Sequence, residues 1–122
     1  MVSIDQLKEI LKSNAFEFQP TQRKICWPII QRIFYKMDMG VPFDNINVSE
    51  NFLINGHHRY ICSLLLKKPI LTNAWEKPFE ITSYKWNEIW IDETDWESAE
   101  IIERHNLKDA ANSGLNIKDF RL

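Results

Sequence analysis

The segment that most constrains the fold runs from Phe52 to Ile61 and reads FLINGHHRYI. An apolar strand is predicted to end at Gly56, and a helix is predicted to begin immediately after it. The first N–H groups of a helix lack backbone partners and carry the positive end of the helix dipole, which favours an anion such as phosphate. Glycine permits a positive φ or a close approach of the backbone to a ligand. The segment therefore predicts a strand–turn–helix unit with an anion site.

Three side chains at the start of this helix extend the prediction. Arg59 can offer a planar, permanently charged fork to phosphate oxygens. His57 and His58 can donate hydrogen bonds, transfer a proton or bind a metal. The alternative is structural: the histidines as caps or partly buried polar residues, and Arg59 paired with a surface carboxylate. Zinc is disfavoured because neighbouring helical residues point about 100° apart, and His105 is the only other histidine.

The rest of the chain predicts a mixed α+β fold in a single domain, residues 1–122. Helices are expected at 4–13, 28–39 and 57–67, the first behind a Ser3–Gln6 capping box. A fourth helix is expected to follow a Thr94–Glu97 capping box and to carry Trp96, with a short fifth helix at 107–112. Arg32 and Lys36 are expected on an exposed face of the second helix. Extended segments are predicted at 45–48, 51–54, 70–71, 79–84 and 88–91.

Charge is unevenly distributed along the chain. The whole chain has 17 acids and 15 bases, a net charge of −2. Residues 18–75 carry +4 and residues 76–103 carry −7. This pattern excludes tight, non-specific nucleic-acid binding over the whole domain but allows a local anion site in the basic part. The acidic part is interpreted either as a solvated face or as a surface for a partner.

Neither a membrane span nor a signal peptide is predicted. No apolar run approaches the roughly 18 residues that a membrane span requires, and residues 1–12 carry charges throughout. Cys26 and Cys62 have no metal-binding spacing, so two buried reduced thiols are expected. The five tryptophans are expected in core and rim packing, because none is interleaved with basic residues along the chain.

The block NGHHRYICSLLLKKPI resembles the signature of the ParB/sulfiredoxin superfamily, in which a strand runs into a D-G-x-H-R-x-x-A turn and helix. The preceding PFDNINVSENF is similar to the two short strands of that family. The resemblance implies a small mixed sheet with flanking helices, with Gly56 approaching phosphate, Arg59 binding it and His58 as the motif histidine. Asn55 stands where the family usually has an acid. His57 stands where sulfiredoxins have their reactive cysteine, so repair of sulfinic acid is not expected.

The later segment WNEIWIDETDWESAEIIERHNLKDAAN is similar to the carboxy-terminal part of short ParB-like domains at the ends of bacterial toxins. The resemblance implies a phosphate-ester enzyme, most directly a nuclease that acts as a bacterial toxin or effector. Such a protein would be cytoplasmic or delivered into a target cell. Two other interpretations stay open. One is a nucleotide-binding ATPase or phosphotransferase, and the other is a non-catalytic module that binds a nucleotide or a partner.

These arguments give a set of candidate site residues. Asn106 and Asp109 share a helical face, where they could orient the histidines or hold a divalent ion, or form only a polar helix end. Mg²⁺ or another divalent metal, or a nucleotide, is the cofactor considered. Nucleic acid or a nucleotide is the expected substrate, and residues 76–103 could meet a protein partner such as an immunity protein. The candidates are His57, His58 and Arg59 for catalysis, Asn55, Gly56 and Arg59 for phosphate, and Glu50, Asn106 and Asp109 in support.

Overall fold

A computed structural model, which describes residues 1–78 and 80–120, shows an α+β fold with four α-helices and a small mixed sheet. This confirms the predicted fold class. The helices are α1 (Ile4–Leu11), α2 (Trp27–Asp38), α3 (His57–Leu66) and α4 (Ala99–Ser113). The strands are β1 (Gln19–Pro20), β2 (Lys24–Cys26), β3 (Ile46–Ser49), β4 (Phe52–Asn55), β5 (Thr72–Ala74) and β6 (Trp90–Asp92).

The larger sheet has the strand order β1-β4-β3-β5. Strands β3 and β4 form an antiparallel hairpin, while β1 and β5 add in parallel at its two sides. The hairpin turns at Glu50, whose φ is 54°. A separate parallel pair joins β2 to β6, with Lys24 opposite Trp90 and Cys26 opposite Asp92. This second pair attaches the acidic part of the chain to the basic part.

The core lies between the larger sheet, α1, α2 and α3. Its fully buried members are apolar and come from each of these elements, which fixes the position of α3 and its first turn. Both cysteines are buried and free, as predicted. The fully buried apolar residues include Leu7, Ile25, Ile30, Ile46, Leu53 and Ile61.

The first three helices confirm their predictions. The Ser3–Gln6 capping box is formed in both directions, with hydrogen bonds of 2.8 and 3.1 Å. Helix α2 has a proline in its first turn, where the missing N–H costs no hydrogen bond. Helix α3 begins at His57 and ends where Lys67 takes a left-handed conformation, with φ of 54°.

The structure corrects the predictions for the last third of the chain. Residues 80–84 form no strand, and Phe79 of that predicted strand lies outside the described residues. The predicted capping box at residue 94 is wrong, because Ser98 caps α4 and accepts a hydrogen bond from the Ile101 N–H. Trp96 therefore precedes the helix. The predicted fourth and fifth helices are one continuous helix that ends at Gly114, since no helix breaker separates them.

Candidate functional site

A cleft of about 210 Å³ lies between α2, the first turn of α3 and α4. Its lining is rich in charged side chains that come from parts of the chain far apart in sequence. Such a concave site with convergent polar groups is the usual form of a binding or catalytic pocket. Its polar lining residues are Arg32, Lys36, Asp44, Arg59, Glu97, His105, Lys108, Asp109 and Asn112.

The first of two cations that α2 contributes to the cleft is Arg32, and it is fully paired. Arg32 donates to both carboxylate oxygens of Asp95 at 2.7 and 2.8 Å and to Glu97 at 2.7 Å. Burial lowers the pKa of Arg32, but these bonds outweigh it, and the pKa is raised overall. The Arg32 bonds in turn lower the pKa of Asp95. The charge of Arg32 is therefore largely satisfied within the protein.

Lys36 is the second paired cation, and its position corrects the predicted exposed face of α2. It is only 5% exposed, and its Nζ lies 2.7 Å from Asp109 Oδ2. A buried ammonium needs such a partner, since desolvation of an unpaired charge is costly. The pair connects α2 to α4 and forms part of the wall of the cleft.

Among the described residues, Arg59 forms no ion pair with a carboxylate. Its Nη2 donates to the Asn45 carbonyl at 3.1 Å, and within residues 1–78 and 80–120 its buried Nε has no hydrogen-bond partner. Burial lowers the pKa of Arg59 and the charge of Asp44 opposes this shift, so the guanidinium stays protonated at any physiological pH. A partly buried guanidinium without an ion-pair partner among the described residues, in the wall of a cleft, is suited to an oxyanion.

Gly56 makes room for this arginine. Its φ is 94°, a conformation that L side chains rarely adopt. A Cβ at this position would lie 2.8 Å from Arg59 Nη2 and 2.7 Å from Ile46 Cγ2. The glycine therefore serves the placement of the guanidinium, in addition to the turn between β4 and α3.

His57 and His58 are held by backbone amides. The Nε2 atom of His57 accepts from the Thr21 N–H at 3.0 Å, and that of His58 accepts from the Cys26 N–H at 2.9 Å. Burial lowers the pKa of both histidines to about 4, with a smaller contribution from His58 to His57 and from Arg59 to His58. Both rings are therefore neutral acceptors at pH 7 and attach α3 to the loop after β1 and to β2. This geometry favours the structural alternative for both.

His105 on α4 has a different environment. Its side chain is 52% exposed, and its Nδ1 lies 3.1 Å from Glu97 Oε2. Glu97 is also bound by Arg32, so the carboxylate is fixed. A carboxylate this close to Nδ1 favours the tautomer in which Nδ1 carries the proton. The cleft therefore contains an imidazole beside a carboxylate, as well as an arginine without an ion-pair partner among the described residues.

The structure brings only two of the predicted site residues, Arg59 and Asp109, to this cleft. The Asn55 side chain accepts from Asn47 at 2.7 Å at the end of the hairpin. Glu50 lies at the hairpin turn, 3.6 Å from Lys77, with a side chain that is 63% exposed. Asn106 is 2% exposed and lines a different depression, so its side chain does not converge with that of Asp109 on the cleft.

The sequence prediction names Asp109 but misses the other α4 residues that line the cleft. His105, Lys108 and Asn112 follow the spacing of one helical face, together with Asp109. That spacing was visible in the sequence but was divided between two predicted helices. The partner carboxylate, Glu97, was assigned to a cap instead of a site.

The described residues contain no group of three or more His, Cys, Asp or Glu side chains that could share a metal ion. Within the cleft, Glu97 and Asp109 are bound to cations. A site for Mg²⁺ therefore stays a prediction, and the chemistry proposed for the cleft uses the protein groups alone. None of the described helices is both long and apolar enough to cross a membrane.

Comparison of the chain with protein-family models, with curated proteins and with solved structures gives no match.

Proposed function

We propose that this protein is an enzyme that cleaves phosphate esters of nucleic acid or nucleotides in the cleft between α2, α3 and α4. The observation that carries the proposal is the convergence of Arg59, which forms no ion pair with a carboxylate among the described residues, with the His105–Glu97 pair in one cleft. The ParB/sulfiredoxin fold and the role as a bacterial toxin belong to the same proposal, and they rest on the resemblance of the sequence motifs alone.

Arg59 has the role of holding the phosphate. The Nη groups of its fork can bind phosphate oxygens and stabilise the charge that develops on them. Lys108 lines the same cleft and adds positive charge. Since Arg32 and Lys36 are already neutralised, the phosphate is expected at the Arg59 end.

His105 has the role of the general base and acid. Its Nε2 takes a proton from a water molecule as the water oxygen attacks phosphorus. The bond from phosphorus to the leaving oxygen then breaks, and that oxygen receives the proton from His105. Glu97 stabilises the positively charged imidazole between the two steps.

The test compares wild type with Arg59→Ala and with the matched control Arg104→Ala, which removes an exposed arginine of α4. The substrates are single-stranded and duplex DNA, RNA, nucleoside triphosphates with a labelled γ-phosphate, and a chromogenic phosphodiester. Each is assayed with Mg²⁺, with Mn²⁺ and with a chelator. Hydrolysis by wild type and Arg104→Ala but not by Arg59→Ala supports the proposal. Equal rates in all three proteins, or no reaction with any substrate, would overturn it.

A second candidate is a module that binds a nucleotide without cleaving it. It is favoured by the two motif histidines, whose Nε2 atoms are occupied by backbone amides. In this case Arg59 holds the phosphate and the acids of residues 76–103 contact a protein such as an immunity protein. Asp95 and Glu97 are already bound to Arg32, so the partner would use the other acids of that segment. Nucleotide binding that depends on Arg59, without turnover, identifies this alternative.

A further inference from the structure

An exposed aromatic surface lies away from the cleft, at the start of β6. Trp90 is 65% exposed, and the Nζ of Lys24, its neighbour across the parallel strands, lies 4.9 Å from the centre of the indole. Beside it, the Arg23 guanidinium carbon lies 6.0 Å from the centre of the Tyr84 ring. Cations and aromatic rings thus alternate across this surface, although they do not alternate along the sequence.

Two depressions meet at Trp90, and basic side chains outnumber acidic ones around them. Among the residues that the structure describes, none of the four basic side chains that line these depressions forms an ion pair with a carboxylate. Lys24 interacts electrostatically with Asp92, but without ion pairs these four charges are more available to a ligand than those of the α2 cations. The cations are Lys8 and Lys12 of α1 with Arg23 and Lys24, and the two acids are Glu88 and Glu93.

We propose that this basic–aromatic surface binds a single strand of nucleic acid. Bases would stack on the exposed indole of Trp90 and on Tyr84, while the four cations contact the phosphates. A duplex keeps its bases stacked on each other, so the aromatic contacts select a single strand. Binding itself is independent of the proposed function. Only the cleavage of the bound strand rests on the proposed function. If that function is correct, this surface indicates that the substrate is single-stranded nucleic acid.

The surface is within reach of the cleft. Glu97 lies seven positions after Trp90 in the chain, and even a fully extended chain of that length spans only about 25 Å. Trp96 lies on this path, 44% exposed, with its indole N–H bonded to Asp92 at 2.9 Å. A strand bound at Trp90 can therefore extend to Arg59 and His105.

The experiment measures binding of a fluorescein-labelled single-stranded dT12 by fluorescence anisotropy at 50 and 200 mM salt. Trp90→Ala is compared with Trp75→Ala, which removes a tryptophan that is also half exposed but lies outside this surface. Lys24→Glu is compared with Lys118→Glu, which reverses an exposed charge beyond α4. Trp90→Phe keeps an aromatic face, and circular dichroism checks the fold of every variant. A gel after each titration shows that the probe is intact.

We expect Trp90→Ala to weaken binding about tenfold or more, the loss of one stacked base, and Trp90→Phe to retain most of it. Lys24→Glu should weaken binding most at 50 mM salt, while both control variants bind like wild type. Equal affinity of Trp90→Ala and Trp75→Ala, tighter binding of a matched duplex, or no binding at all would overturn the inference. Binding that depends on Trp90 in a protein that cleaves nothing would support the inference and refute the proposed enzyme. Cleavage that depends on Arg59 but not on Trp90 would do the reverse.

Discussion

Histidines occupy two contrasting regions of this molecule, the first turn of α3 and the exposed face of α4. In the first turn, His57 and His58 are buried and each accepts a backbone N–H. On α4, His105 is half exposed beside Glu97. The sequence motif predicts that His57 and His58 are the catalytic residues. The geometry instead favours His105 as the base, because its ring is half exposed in the cleft. The motif histidines therefore serve the packing of α3, while the half-exposed histidine lies on another helix.

The largest expected effect comes from His105→Gln, which tests this contrast directly. Loss of a general base should lower the rate of phosphate-ester cleavage by about 10²- to 10⁴-fold. Because the side chain is half exposed, thermal stability should barely change. His57→Gln should show the opposite pattern, with a lower melting temperature and a smaller loss of rate. Steady-state kinetics and thermal unfolding of both variants test this. Equal losses of rate in the two variants would contradict the assignment of His105 as the base and His57 as a structural residue.

The pH dependence of stability sharpens the same contrast. The pKa of His57 and of His58 is about 4 in the folded protein, below the usual value of about 6.5. The unfolded chain then binds more protons between these values, so stability falls as the pH falls from 6.5 towards 4. Each of the two histidines should lower the free energy of unfolding by about 2 kcal/mol as the pH falls from 7 to 5. Urea unfolding at several pH values measures it.

Two variants serve as controls for this pH effect. His58→Gln should flatten the pH dependence, because it removes one of the two buried imidazoles. A dependence that survives in His57→Gln/His58→Gln would show that other groups cause it.

Asp109→Ala tests whether Asp109, on the side of α4 that lines the cleft, stabilises the fold or takes part in the reaction. Removal of this carboxylate leaves Lys36 buried and unpaired, which should cost about 3 kcal/mol of folding free energy. The double variant Lys36→Met/Asp109→Leu removes both charges and should recover most of the stability. Chemical denaturation measures both. If Asp109→Ala is as stable as wild type but inactive, Asp109 belongs to the chemistry rather than to the fold.

The smallest effect is expected for Gly56→Ala, and Gly40 provides a matched control with the same φ of 94° and open space around it. Gly40→Ala should lower the free energy of unfolding by about 1 kcal/mol, from backbone strain alone. Gly56→Ala should lose about 2 kcal/mol, because the new Cβ also contacts Ile46 and Arg59. Only Gly56→Ala should weaken phosphate binding, measured by calorimetry. Equal losses in the two variants would show that Gly56 does not position the arginine.

Local signals predicted the first half of the fold well. The Ser3 capping box, the proline of α2 and the glycine before α3 each act within a few residues, so they are readable in the sequence. Strand β6 overlaps the predicted segment 88–91, but β2 and its pairing with β6 were missed, because three residues carry too little periodicity and the pairing depends on tertiary contacts. The start of α4 was misplaced because Thr94 and Ser98 are both favourable N-cap residues, and only tertiary contacts choose between them.

The candidate site was predictable only in part for the same reason. Arg59 and Asp109 were identified, but their meeting in one cleft depends on packing between elements far apart in the chain. Burial of Lys36 and of the two motif histidines also depends on that packing. No spacing rule within the sequence distinguishes a histidine that binds a backbone amide from one that faces a cleft.

The parallel pairing of β2 with β6 has a consequence for the order of assembly. Strand β2 cannot pair until β6 has been synthesised, because Lys24 lies opposite Trp90 in this small sheet. Contacts between residues so far apart in sequence are slow to form. Helix α4, which brings His105, is synthesised later still. On the proposed mechanism, a chain emerging from the ribosome acquires its arginine site first and its base last. On that mechanism, the growing polypeptide cannot cleave phosphate esters before α4 has been synthesised.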